Sequence, residues 1–246
     1  MPQDDTIFLF QSAKLGEPSH LLAELEQARR LAQQDFRVRR IYGVSGGALA
    51  ALGFALAIAA RQEPAKWHRA GQALEDFSAY LSSARNHQIR SLNRNPWYGL
   101  FRLSPLRRWL AERLRSYTGR DDLWISEIPA PLYICVMDQD AILIPCGAPD
   151  EDRQFQYQFV RVGPPEDAPV VDAIEAALST MLSTSPVRVR GNWRRDCRPA
   201  IVDAGAIIVD LEKIDPAQLW RTIPYTPVRQ WKLNFITSSF IMHSQH

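Results

Sequence analysis

The pattern of apolar positions along the chain alternates between short continuous runs, which are typical of buried strands, and helical periods. The run 6–10 is short, continuous and apolar, which predicts a buried parallel strand. Between 19 and 32 the leucines and alanines recur at helical spacing, after a serine that can cap the helix, and 37–42 predicts a second strand. These elements form one β-α-β unit, so the first two strands should be parallel.

Later segments continue this alternation. The stretch 46–61 is apolar on nearly every side, which predicts a helix inside the domain rather than on its surface. The remaining pattern predicts an amphipathic helix at 64–83, an irregular loop at 86–103, a helix at 104–117 ended by Gly119, strands at 132–137, 141–144 and 154–162, a helix at 169–182 and a strand at 200–202. We expect a single domain over 1–246, with a core at about 6–210 and a C-terminal extension at 211–246.

Composition narrows the class of protein. Hydrophobic residues make up 46% of the 246 residues and the net charge is +2, which is typical of a soluble globular protein and gives no reason to expect a nucleic-acid partner. The cysteines are Cys135, Cys146 and Cys197; their odd number and lack of C-x-x-C spacing favour a reduced, cytoplasmic protein. The longest apolar run, 48–60, is shorter than the roughly 20 residues of a membrane span. No cluster has metal-ligand spacing, so we expect neither a metal nor a cofactor.

Candidate chemistry begins with Gly43-Val44-Ser45-Gly46-Gly47, a G-x-S-x-G pattern between the second strand and the apolar helix. Small residues around Ser45 allow a sharp turn that holds the hydroxyl at its tip. The helix that follows directs its free N–H groups at the place where an oxyanion forms during acyl transfer. The same pattern also occurs in ordinary strand-to-helix turns.

A second candidate is Asp203, which follows the apolar run 200–202 and precedes Ala204 and Gly205. A carboxylate at the end of a buried strand is partly desolvated, and this raises its basicity. An aspartate that simply starts a turn is the alternative interpretation.

In order and spacing, these motifs resemble the patatin-like phospholipase family. Only 44 residues precede the serine, too few for the several strands that come before the elbow in α/β-hydrolases. Ser45 matches the family nucleophile, and Asp203 in Asp203-Ala204-Gly205 matches the family's D-G-G or D-G-A aspartate. The segment 173–180 followed by Pro186-Val187 resembles the family's helix and proline-containing loop.

The resemblance implies a three-layer α/β/α sandwich with a mainly parallel central sheet. It also implies a lipid or phospholipid acyl hydrolase that works through a Ser45–Asp203 dyad and an acyl-enzyme, at a membrane surface or in the cytoplasm. The family's glycine-rich oxyanion loop corresponds to 11–16 here, so the expected backbone donors are those of Gln11, Ser12, Ala13, Lys14 and Gly46, with Gly43, Gly47 and Gly205 as motif glycines. Trp97, Tyr98, Leu100 and Phe101 are the candidate lid or acyl pocket, because they combine aromatic residues with helix breakers.

Two alternatives remain open. A Ser-His-Asp esterase would need a histidine at Ser45, and the candidates are His20, His68, His87, His243 and His246. A lipid-binding or scaffolding relative that has lost turnover is favoured by the non-glycine residues at 11–14 and opposed by the presence of both Ser45 and Asp203. The sequence does not identify a protein partner.

Overall fold

The computed structural model describes residues 6–12, 18–35, 37–83, 86–95, 99–140, 142–148, 165–180, 183–196 and 219–223. Its strands are β1 (Thr6–Ser12), β2 (Val38–Ser45), β3 (Ser91–Leu92), β4 (Phe101–Arg102), β5 (Leu132–Asp138), β6 (Leu143–Gly147), β7 (Val187–Val189), β8 (Asn192–Asp196) and β9 (Leu219–Ile223). Its helices are α1 (Pro18–Ala32), α2 (Gly47–Gln62), α3 (Pro64–Trp67), α4 (Ala73–Ser83), α5 (Asn86–Ile89), α6 (Ser104–Thr118) and α7 (Val170–Ala177), with 3-10 turns at His68–Gln72 and Ile125–Glu127.

The central sheet is mixed and is flanked by helices. Strands β9, β1, β2 and β5 pair in that order and are parallel, so the predicted parallel β1-α1-β2 unit is confirmed. Strands β6 and β8 pair antiparallel to β5, and β7 pairs antiparallel to β8. The predicted α/β architecture, a three-layer sandwich, is confirmed, with parallel pairing from β9 to β5 and antiparallel pairing beyond.

Strand β5 brings two distant parts of the chain to one edge. Strand β2 pairs with residues 132–135 of β5, and β8 pairs with residues 136–138. Because β6 already pairs with residues 133–137, it occupies the other edge of β5. Strands β2 and β8 therefore follow one another along the same edge. They run in opposite directions, so the carboxyl end of β2 meets the carboxyl end of β8.

The apolar helix α2 is the central packing element. Its residues from 47 to 59 are all buried, as the sequence predicted, and it contacts β1, β2 and β5 as well as α1 and α4. Phe54 packs with its ring centroid 4.8 Å from that of Phe8 and 5.4 Å from that of Phe10 on β1. An all-apolar helix surface is explained by burial on all sides.

Several boundaries differ from the predictions. The predicted helix at 64–83 is divided into α3, a 3-10 turn and α4, and the helix predicted at 169–182 ends at Ala177. Just beyond that end, the Ser179 hydroxyl donates to the carbonyl of Glu175, a local bond that competes with helical pairing. The loop predicted at 86–103 contains α5 and an antiparallel β3–β4 ribbon.

Three further predictions concern two strands and the C-terminal extension. The strands predicted at 154–162 and 200–202 lie outside the described residues. Strand β9 falls within the predicted C-terminal extension and pairs with β1. Within the described ranges, no helix combines the length and apolar character needed to span a membrane.

Candidate active site

Ser45 occupies a strained turn between β2 and α2. Its φ is 52°, in the left-handed region that non-glycine residues rarely adopt, and its side chain is 3% exposed. Helix α2 starts two residues later, at Gly47, after Gly46 in a helical conformation. The serine therefore has the backbone of a nucleophile elbow, and the positive end of α2 lies next to its hydroxyl.

Close packing of α2 on β2 explains Gly43. A Cβ at this position would lie 2.7 Å from the Cα of Ala48 and 2.7 Å from the Cβ of Ala51. Carbon atoms in contact are normally about 3.5–4.0 Å apart. Only glycine lets the start of α2 come this close to the strand, and this fixes where the helix N-terminus points.

The Ser45 hydroxyl bonds to a carboxylate that was not predicted. Ser45 Oγ donates to Asp196 Oδ2 over 2.9 Å, and Asp196 is 2% exposed. Asp196 is the last residue of β8 and pairs with Val136, one position beyond Cys135, which pairs with Val44. The Asp196 N–H also donates to the Ser179 carbonyl over 3.0 Å, which ties the carboxylate to the end of α7. The meeting of the carboxyl ends of β2 and β8 thus creates a buried serine–aspartate pair.

A recognisable pattern surrounds Asp196. Val187 and Val189 alternate with arginines, Arg190 and Gly191 follow with φ values of 48° and 86°, and β8 returns to end at the aspartate. Positive φ at both turn residues is typical of a two-residue hairpin, and the glycine was the available signal. No strand was predicted in this arginine-rich stretch.

The other predicted site residues are placed unevenly. Asp203, Gly205, Ala13 and Lys14 lie outside the described residues, as do Trp97 and Tyr98, so the Ser45–Asp203 pair stays a prediction. Strand β1 ends at Gln11 and Ser12, which pair with Val44 and Ser45, so the backbone predicted to donate to an oxyanion does reach the level of Ser45.

The described part of the predicted lid lies on the β3–β4 ribbon. Leu100 is 55% exposed. Phe101 is partly buried, has the Arg90 guanidinium 4.4 Å from its ring centroid, and forms a bridge with Thr184. Phe101 is thus tied to the segment that leads into β7.

Arg194 lies two residues before the aspartate in β8 and is also buried. It is 2% exposed and its Nη2 donates to Glu166 Oε2 over 2.6 Å. Its Nε and Nη1 have no oxygen or nitrogen partner among the described residues, and the guanidinium interacts with the Cys146 thiol. A buried guanidinium depends strongly on its remaining carboxylate partner, so this ion pair fixes the strand that carries Asp196.

One histidine, His68, has a described side chain. His68 lies exposed in a 3-10 turn, and the other four histidine side chains are outside the described set. The described part of the chain contains no cluster of three or more His, Cys, Asp or Glu residues that could hold a metal ion.

A family model named patatin-like phospholipase matches residues 20–210, which is most of the chain and contains Ser45, Asp196 and Asp203. The chain belongs to the patatin-like phospholipase family. Members of this family are generally hydrolases of lipid esters, so family membership supports lipid acyl hydrolase activity as a class of reaction. Comparison with curated proteins gave no match, and neither did comparison with solved structures.

Proposed function

We propose that this patatin-like protein hydrolyses lipid esters through a Ser45–Asp196 dyad and an acyl-enzyme. The observation that carries the proposal is the 2.9 Å bond from Ser45 Oγ to Asp196 Oδ2, between side chains that are 3% and 2% exposed. A hydroxyl already bonded to a buried carboxylate has its general base in place. Asp196 takes the role that the sequence analysis gave to Asp203.

The reaction proceeds in two halves. Asp196 accepts the proton of Ser45 as Oγ attacks the ester carbonyl, and collapse of the tetrahedral intermediate breaks the ester bond. The leaving alcohol takes the proton back from Asp196, and the acyl group stays on Ser45. Water then attacks the acyl-enzyme with Asp196 again as base, which releases a fatty acid and restores the serine.

Charge on the tetrahedral oxygen needs backbone donors. The N–H groups at the start of α2 are the nearest candidates by sequence, since Gly46 directly follows the nucleophile. The end of β1 supplies the second candidate group, because Ser12 pairs with Ser45 in register. Backbone donors do not require glycine side chains, so the non-glycine residues at 11 and 12 are compatible with this role.

Labelling with a fluorophosphonate tests the proposal without knowledge of the lipid. The probe traps a serine that has both a base and oxyanion donors, because its adduct resembles the tetrahedral intermediate. We expect wild-type protein to label at Ser45 and Ser45→Ala not to label. We expect Asp196→Asn to label about 100-fold or more slowly, as loss of a general base predicts, and Asp203→Asn to label like wild type.

Each of the other outcomes would indicate a different mechanism or function for this protein. Slow labelling of Asp203→Asn with normal labelling of Asp196→Asn would overturn the proposed base in favour of the one predicted from sequence. Labelling that survives both substitutions and is lost on replacing a histidine would indicate a triad. Absence of labelling in folded wild type, checked by circular dichroism, would favour the lipid-binding relative.

A further inference from the structure

Exposed apolar side chains are concentrated on two hairpins. Among the described residues, the exposed large hydrophobics are Leu92 at 79%, Leu100 at 55% and Trp193 at 45%. Leu92 and Leu100 belong to the β3–β4 ribbon, and Trp193 belongs to the β7–β8 hairpin. Solitary exposed leucines are ordinary, but their concentration on two adjoining hairpins indicates a contact surface.

The same two hairpins are strongly basic. Residues 91–102 and 187–196 contain six arginines, and their one acidic residue is the buried Asp196. Exposed arginines on them without an ion pair in the described part of the chain are Arg94, Arg102, Arg188 and Arg190. Elsewhere many arginines are paired; Arg120, for example, bonds to Asp122 and Glu127.

The two hairpins form one continuous face. Phe101 N–H donates to the Ser183 carbonyl, and Ser185 N–H donates to the Phe101 carbonyl, each over 2.9 Å. The Asn93 side chain donates to Ser185 Oγ over 2.7 Å and accepts from Arg102 Nε over 2.9 Å. We call the exposed surface of residues 91–95, 99–102 and 187–193 the two-hairpin face.

A groove of about 700 Å³ lies between the hairpins, with Arg102, Arg188 and Trp193 among its lining residues. Its acidic lining residues are Asp172 and Glu175, and both are ion-paired with Arg107 at 2.6 and 2.7 Å. Arg107 therefore neutralises part of the negative charge in the groove, while Arg102 and Arg188 have no ion pair among the described residues.

The two-hairpin face projects from the end of the sheet that carries the serine. Strand β8 continues the edge of β5 past the point where β2 stops, and its turn at Arg190 and Gly191 lies farther out than Asp196. The face is thus on the carboxyl side of the parallel strands, the side at which α/β sheets bind ligands.

We propose that the two-hairpin face docks the protein on an anionic lipid bilayer, with Leu92, Leu100 and Trp193 entering the interface and the four exposed arginines contacting lipid headgroups. Exposed leucines beside a tryptophan and arginines without an ion pair suit a bilayer, which offers an apolar layer beneath a negative surface. Nucleic acid would match the arginines but leave both leucines in water. The inference rests on the proposed function, because docking would bring a hydrolase of lipid esters to the surface that holds its substrate.

Vesicle sedimentation of the Ser45→Ala protein tests docking separately from hydrolysis. Vesicles are pure phosphatidylcholine or phosphatidylcholine with phosphatidylglycerol. We expect binding only to the anionic vesicles, with a marked loss at high salt. Arg188→Gln with Arg190→Gln should weaken binding roughly 30-fold, since each basic residue near an anionic surface contributes about a factor of 5. Leu92→Ser with Leu100→Ser should weaken it roughly tenfold or more.

The matched control removes two exposed cations elsewhere, Lys66→Gln with Arg69→Gln, and should bind nearly as wild type. Equal loss in this control would show that net charge alone drives adsorption and would overturn the docking face. Equal binding to neutral vesicles, no binding to anionic ones, or binding to single-stranded DNA in preference to vesicles would also overturn it.

Fluorophosphonate labelling in solution separates this failure from failure of the proposed function. Arg188→Gln, Arg190→Gln and Leu92→Ser, made in a protein that retains Ser45, should leave labelling at the wild-type rate in solution. Normal labelling without vesicle binding refutes docking alone. Vesicle binding by Ser45→Ala without labelling of wild type refutes the hydrolase alone.

Discussion

Gly43→Ala should displace helix α2 from β2 and lower both the stability of the fold and the reactivity of Ser45. The added Cβ would lie 2.7 Å from each of two atoms of α2, at Ala48 and Ala51, about 1 Å closer than normal contact. One of these is the Cα of Ala48, which cannot rotate away, so the helix itself must move. Overpacking of this kind costs about 1–3 kcal/mol, and the lower chain entropy of unfolded alanine offsets only about 0.4–1 kcal/mol.

Urea unfolding and fluorophosphonate labelling measure the two effects. We expect Gly43→Ala to lower the free energy of unfolding by about 1–2 kcal/mol and to slow labelling of Ser45, because the N–H groups at the start of α2 move with the helix. Gly71→Ala is the matched control: its Cβ would be 3.6 Å from the nearest atom, the Cβ of Ala60, so the same substitution should leave stability unchanged or slightly raised. If Gly43→Ala proves as stable and as reactive as Gly71→Ala, the close approach of α2 to β2 is not as described.

Three further predictions follow from buried groups. Glu166→Gln should destabilise the fold by about 2 kcal/mol, because it leaves the Arg194 guanidinium buried without its carboxylate, and adding Arg194→Met should restore part of that loss in urea unfolding. Burial raises the pKa of the Cys146 thiol to about 12 and also raises the pKa of Cys135, so with the third cysteine replaced by serine neither thiol should react with iodoacetamide at pH 8 until the protein unfolds; reaction in native protein would contradict their burial. The free energy of unfolding of Ser45→Gly, measured with urea, should exceed that of Ser45→Ala by about 1 kcal/mol, since glycine adopts the positive φ without strain. Equal stability would mean that the turn is not strained.

Local patterns with a direct physical cause were predictable. The parallel β1-α1-β2 unit followed from hydrophobic periodicity, and the buried α2 followed from an apolar surface on all sides. Gly119, predicted to end the helix before it, has a φ of 77° after Thr118. The sharp turn at Ser45 was predictable because small residues surround the serine between a strand and a helix.

The carboxylate partner was harder because its position depends on pairing between distant strands. Asp196 reaches Ser45 only because β8 pairs with the part of the β5 edge that β2 leaves free. No local sequence pattern predicts that these two strands pair with successive parts of one edge. Asp203 had the more obvious context, an apolar run followed by small residues, and it lies outside the described residues. The β7–β8 hairpin was missed because arginines obscured the alternation of its valines.

The meeting of β2 with β8 also imposes an order on how activity arises during synthesis. The serine and the carboxylate are 151 positions apart, so Ser45 and α2 can leave the ribosome and begin to fold long before Asp196 has been translated. A chain that stops before β8 therefore has the turn at Ser45 but not the buried serine–aspartate pair. Under the proposed function such a chain lacks the general base, so it should not hydrolyse lipid esters.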